Sequence, residues 1–80
     1  MKAAFVMINA EIGSEIELKN KLLQLPNVVE AYMVYGVYDI IAKVEAETMD
    51  RLKELVTREI RCLDKVLSIL ILVVMEPENK

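Results

Sequence analysis

An 80-residue chain makes one small domain and buries a smaller share of its surface than a larger one does, yet 55% of its residues are hydrophobic, above the usual ~45–50%. That excess excludes a disordered chain, which is poorer in Leu, Ile and Val, and fits a protomer whose core is completed by further copies of itself. Ten basic against thirteen acidic residues leave a net charge of −3, which excludes a general attraction to nucleic acid, and the single cysteine, Cys62, excludes an internal disulfide and favours a cytoplasmic location.

Residues 2–11 read as a first strand in which Phe5, Val6, Met7 and Ile8 supply apolar groups to both faces. Asn9 and Glu11 interrupt the apolar run too early for a signal peptide. A helix follows, with Ser14 as N-cap and Glu17 three residues on, the spacing of a capping box, and with Leu18, Leu22 and Leu25 at helical intervals. Pro26 stops it, because the residue before a proline is pushed out of the helical region. Two strands, 28–35 and 39–45, then join across Gly36-Val37-Tyr38, a hairpin in which Gly36 is the residue best able to take positive φ.

Thr48 is placed to cap a second helix whose apolar stripe is Met49, Leu52, Leu55, Val56, Ile60 and Leu63. Arg51, Lys53, Arg58, Arg61 and Lys65 along it are offset by Asp50, Glu54, Glu59 and Asp64, and Glu54 stands four residues before Arg58. This reads as a solvated helix face rather than a nucleic-acid patch. The last strand, 66–75, is apolar at almost every position: Leu67, Ile69, Ile71 and Val73 need one cover, and Val66, Leu70, Leu72 and Val74 need another. Its uninterrupted apolar run, 69–75, is far short of the ~20 residues of a helical membrane span, so no membrane association is expected. The domain is expected to cover 1–76, followed by a mobile tail over 77–80.

The order strand, helix, strand, strand, helix, strand predicts an α+β, ferredoxin-like βαββαβ fold, a four-stranded antiparallel sheet with two helices. Right-handed crossovers put both helices on one face. The other face keeps its apolar residues, and packing against the sheet of a second copy around a two-fold axis is the way to bury them.

Chemistry is sparse. There is no histidine, Cys62 reads as a small packed residue, no cysteine pair has zinc-ligand spacing, and neither Gly13 nor Gly36 belongs to a phosphate-binding loop. No catalytic residue, metal or cofactor is expected. The exception is the segment 32–39, where Tyr32, Tyr35, Gly36, Tyr38 and Asp39 gather all three tyrosines of the chain at one hairpin. As a site, Gly36 would offer backbone groups, Asp39 would neutralise an ammonium and the tyrosines would supply rings and hydroxyls. As plain structure, Gly36 serves the turn, Asp39 caps the backbone and tyrosines are good strand residues. Taken alone, the residues favour plain structure over a binding site, such turns being common.

The segment from Ala31 to Val44, with Ala4-Phe5-Val6-Met7-Ile8-Asn9 before it and the all-apolar strand after it, resembles the effector domain of the Lrp/AsnC, or feast/famine, transcription regulators, with Gly36, Tyr38 and Asp39 as its Gly-x-Tyr-Asp core. The resemblance spans 2–75 and implies a domain for the regulation of amino-acid metabolism that dimerises through its sheets. Such dimers join into rings, often octameric, with an amino-acid effector near the dimer-to-dimer contact. By that likeness Gly36 and Asp39 hold the effector's polar groups, and Tyr32, Tyr35 and Tyr38 shape the pocket.

Two departures matter. The family's regulators carry an N-terminal helix-turn-helix domain, whereas here the first strand starts at the initiator methionine. The expectation is a stand-alone effector domain that does not bind DNA directly and co-assembles with full-length regulators. Ile69 and Ile71 stand where relatives often place threonines, which points to an aliphatic amino acid or to no ligand. Three functions follow from the sequence: an amino-acid-sensing oligomerisation module, a ligand-free adaptor that scaffolds rings, and a small cofactor-free ferredoxin-like enzyme.

Overall fold

The structure, a computed structural model, describes residues 1–75, so the expected mobile tail lies outside the described residues. Along the chain run β1 (Lys2–Ala10), α1 (Glu15–Leu23), β2 (Val28–Met33), β3 (Ile40–Ala46), α2 (Met49–Glu54) with a π-helical continuation (Leu55–Ile60), and β4 (Val66–Val73). The four strands form one sheet in the order β2-β3-β1-β4, with every neighbouring pair antiparallel. This is the βαββαβ ferredoxin-like fold that the order of elements predicts.

Strict alternation sets the faces. Ala4, Val6, Ile8 and Ala10 of β1 and Ile40, Ala42, Val44 and Ala46 of β3 are buried on one side. Leu18 and Leu22 of α1 and Leu52, Leu55, Val56 and Ile60 of the second helix close the same core. Alanine on the central strands makes room for these bulky side chains, so large meets small across the layer. α1 rests on β2 and β3, and α2 on β3 and β1, so both helices share one face, as the crossover rule requires.

Local signals succeed unevenly. Thr48 caps α2 as expected, its Oγ1 accepting from the Arg51 amide at 3.1 Å. The capping box of α1 does not form. Ser14 makes no side-chain cap bond; its own amide donates to the Glu11 carbonyl at 2.9 Å, and Glu17 turns to Lys21 at 3.5 Å. α1 ends two residues earlier than the leucine spacing suggests, and Leu25 packs against the core from the following turn.

The second helix departs furthest. From Leu55 it widens into a π-helix, marked by the Arg61 amide bonding to the Val56 carbonyl at 3.0 Å. The wider turn puts Leu55 and Ile60, five apart, together in the core, where a regular helix would rotate them apart. Thr57 Oγ1 donates to the Lys53 carbonyl at 2.8 Å, the back-bond to the preceding turn that a helical threonine can make. Glu54 pairs with Arg51 at 3.4 Å rather than with Arg58. Arg51 also reaches Glu59 at 3.1 Å and Asn27 Oδ1 at 3.2 Å, tying the helix to the turn before β2. Cys62, expected to be packed, is exposed in the turn that follows, because the helix ends at Ile60 with its buried stripe complete.

β4 corrects the assignment of its faces. The register of β1 on β4 shifts between Asn9, opposite Ser68, and Ala10, opposite Val66. This bulge leaves Leu67 unpaired and exposed and turns Val66 towards the core with Ile69 and Ile71. Leu70 and Leu72 occupy the other face. Before β4 the chain passes through Lys65 at φ 78°, a left-handed conformation unusual for a lysine.

Candidate functional site

Strand direction collects the candidate residues at one end of the sheet. β1 and β2 finish there and β3 and β4 begin there, so the loop 34–39 stands beside the turn that follows Ala10. The expected strand ends at 35 and 39 are cut back to Met33 and Ile40, making the connection longer than a three-residue hairpin. The Val34 amide donates to the Asp39 carbonyl at 2.9 Å and closes this loop. Gly36 takes φ 150°, as expected of the residue without a Cβ. Tyr35 and Val37 flank it with side chains in solvent, Val37 at 85% exposure.

Asp39 is the structural centre of the loop. β3 begins opposite Ile8, so beyond that point β1 has no strand partner on this side. Asp39 takes over: its amide donates to the Ile8 carbonyl at 3.0 Å, and its carboxylate Oδ2 accepts from the Ala10 amide at 2.9 Å. The backbone role that sequence reasoning weighed against ligand binding is therefore real, although the capped group belongs to β1 rather than to the hairpin itself.

Tyr32 precedes the loop on β2, directly across from Ile41 on the sheet face that no helix covers. Its hydroxyl donates to Glu30, and that hydrogen bond, with the negative charge of Glu30, raises the phenol above its ordinary value near 10. The structure thus brings Tyr35, Gly36, Tyr38 and Asp39 onto one loop with Tyr32 at its foot. It commits the Tyr32 hydroxyl to Glu30 and one oxygen of Asp39 to β1.

The open face divides in two. Phe5 and Met7 of β1 lie opposite Leu72 and Leu70 of β4, and Ile41 adjoins Met7 from β3, making an apolar half. Leu70 and Leu72 are 42% and 48% exposed. The β2 and β3 half is charged, with Lys43 opposite Glu30 and 3.8 Å from Glu45. Asn9 and Ser68 end the apolar half with a side-chain hydrogen bond of 3.2 Å. Sequence reading missed this pair, and its one signal was a polar residue interrupting each of two apolar strands. Among the described residues no group of His, Cys, Asp and Glu is placed to hold a metal ion, and no helix is long and apolar enough to cross a membrane.

A two-layer βαββαβ domain with one bare, half-apolar sheet face and a polar loop at its strand ends defines a ferredoxin-like ligand-binding or association domain, and comparison with known proteins specifies which. The family model described as the Lrp/AsnC ligand binding domain matches residues 3–79, and the chain belongs to that family. The crystal structure of FFRP-DM1 is 37% identical with a TM-score of 0.91, over 94% of this chain and 100% of that one. TTHA0845 from Thermus thermophilus is 30% identical with a TM-score of 0.93, over the whole of both chains. The HTH-type transcriptional regulator FL11 of Pyrococcus furiosus is 33% identical over 49 residues, 61% of this chain and 32% of that protein. The match thus spans about a third of the length of this curated relative. The resemblance carried by 31–44 is confirmed, and the family is one of ligand-binding domains of transcription regulators rather than of enzymes.

Proposed function

We propose that this chain is a stand-alone amino-acid-binding and oligomerisation module of the cytoplasm, modulating amino-acid-responsive transcription by co-assembly with full-length Lrp/AsnC regulators. The observation that carries this reading is the bare sheet face. Phe5, Met7, Leu70 and Leu72 form an apolar patch that the chain's own helices cannot reach, since both lie on the other side. A second copy related by a two-fold axis near Met7 and Leu70 covers it, leaving the charged half at the rim. Dimers of this kind then join into an octamer or a similar ring. Relatives whose whole chains are matched support the stand-alone form, and a longer helix-turn-helix relative supports a full-length partner as the route to DNA.

The effector, an amino acid, sits at the hairpin loop. Asp39 neutralises its ammonium through the carboxylate that also holds β1, the backbone at Gly36 meets its carboxylate, and Tyr32, Tyr35 and Tyr38 enclose the side chain. Native mass spectrometry with and without the twenty amino acids tests the reading. A ring of dimers that gains the mass of one amino acid per site supports it, and a stable monomer refutes it.

A ligand-free ring adaptor is the second reading. It is favoured by Ile69 and Ile71, which pack against the core and offer no hydroxyl, and by the prior engagement of Asp39 with β1. A ring that gains no mass would select it.

A further inference from the structure

We infer that a groove between α2 and β4 binds a short, branched aliphatic carboxylate that carries no amino group. This second ligand site depends on neither the loop 34–39 nor the sheet dimer. The groove arises because α2 rests on β3 and β1, leaving the inner side of the edge strand β4 partly open. Leu52 and Val56 form one wall, Ile71 and Val73 the other, and Lys53 and Thr57 stand on the rim. Its volume is ≈ 70 Å³, about half of the ~150 Å³ of an engineered cavity that takes a benzene ring. An isopropyl or isobutyl group fits; an aromatic ring does not.

The charge at the mouth selects the head group. Lys53 makes no ion pair among the described residues, whereas Lys21, Lys43 and Lys65 each face a carboxylate. Thr57 spends its hydroxyl proton on the Lys53 carbonyl at 2.8 Å, so the donor left at the rim is the exposed Lys53 ammonium. A carboxylate standing just outside the groove, on the alkyl group that fills it, meets that ammonium in a charge-assisted hydrogen bond. Among the described residues no acidic side chain lines the groove. The ammonium of an amino acid would therefore stand beside Lys53 without a partner, like charge against like. The groove selects against the zwitterion proposed for the loop and admits its deaminated counterparts.

The backbone is unusual at the same place. Leu52 and Lys53 lie in α2 and Val56 and Thr57 in its π-helical continuation, so the groove runs along the change from one to the other. π-helical turns are rare and occur frequently at functional sites. The loop 34–39 is remote: Val73 lies opposite Ala4 near the start of β1, whereas the loop adjoins Ile8 and Ala10 at the other end, roughly 15–20 Å away at the ~3.4 Å rise of a strand. The groove opens on the helix side, so it stays free when two bare sheet faces meet.

Methyl-selective NMR of the intact protein tests this with isovalerate, its neutral amide isovaleramide, and leucine. Isovalerate should move the methyl signals of Leu52, Ile71 and Val73 to saturation with a Kd on the order of a few millimolar, as one alkyl group and one exposed ion pair allow. Isovaleramide and leucine should bind there about fivefold more weakly or worse. Lys53→Gln should weaken isovalerate by about the same factor, and Lys53→Arg should keep it; the position is exposed, so both variants should retain the wild-type circular dichroism spectrum. Val73→Phe, which fills the groove from the edge strand, should abolish the shifts. The inference is overturned if isovalerate gives no saturating shift at about ten times the expected Kd, if isovaleramide or leucine moves the same methyls with equal affinity, or if Lys53→Gln binds isovalerate as the wild type does. Leucine should leave these methyls in place whatever it does at Val37 in the loop, so the two sites stand or fall separately.

Discussion

Asp39 is asked to do two things, and the pair Asp39→Ala and Asp39→Asn separates them. The alanine variant strips the Ala10 amide of its carboxylate acceptor, now 2.9 Å away in a part-buried setting. A hydrogen bond to a charged group is worth about 1.5–3 kcal/mol, and partial exposure puts this one at the lower end. For a domain of this size ~1 kcal/mol moves Tm by about 4–8 °C, so Asp39→Ala should lose about 6–12 °C. Asparagine keeps a carbonyl oxygen in place but not the charge, and should lose less than half as much. Both should also remove the proposed ammonium partner and, on that proposal, abolish amino-acid binding. The assay is thermal unfolding followed by circular dichroism at one fixed protein concentration, since assembly makes Tm concentration-dependent, alongside native mass spectrometry with amino acids. An unchanged Tm in Asp39→Ala would refute the structural argument, and a bound amino acid surviving in Asp39→Asn would remove Asp39 from the binding site.

On the bare face, Leu70→Lys should convert the proposed sheet dimer to a monomer with an intact fold, because the position is already 42% exposed in the single chain and in that dimer a lysine there faces its own copy; sedimentation velocity would show it. Lys65→Gly should stabilise by about 0.5–1 kcal/mol, read as a higher urea midpoint, because glycine relieves the left-handed conformation at φ 78° and the Glu11 ion pair that it gives up, at 3.8 Å, is exposed. Thr48→Ala should cost about 1 kcal/mol through the lost cap on the Arg51 amide, with the same measurement as check. The Tyr32 phenol, raised first by its hydrogen bond to Glu30 and next by that residue's charge, should titrate at lower pH in Glu30→Gln when followed by ultraviolet difference absorbance against Tyr32→Phe. Since its folded pKa lies above the unfolded value near 10, the stabilisation from Tyr32 is present in full below about pH 10 and is lost as pH rises through the folded pKa.

Hydrophobic period made most of the fold legible. Alternation through Ala4, Val6, Ile8 and Ala10 and through Ile40, Ala42, Val44 and Ala46 is a property of the chain itself, and so is the stop at Pro26 and the cap at Thr48. The candidate loop was legible because its residue types are scarce elsewhere, and Gly36 took the backbone conformation that only its lack of a side chain recommends. The failures share a cause. Whether Ser14 caps its helix, or whether Leu55 and Ile60 meet through a π-turn, depends on what the neighbouring layer leaves room for, and local spacing carries no record of that. Cys62 was misplaced for the same reason, once the widened helix had buried its stripe without it.

What the sequence by itself determined is the order of elements, the sidedness of the central strands and the presence of more apolar surface than two helices can cover, because side-chain period and composition are written in the chain. Tertiary structure alone decided the bulge at Asn9 and Ala10 that reassigned the faces of β4, the attachment of Asp39 to β1, and the groove beside Val73. Each of these depends on strands distant in sequence meeting in one register, and a register shift of a single residue exchanges the side chains that face the core with those that face outward.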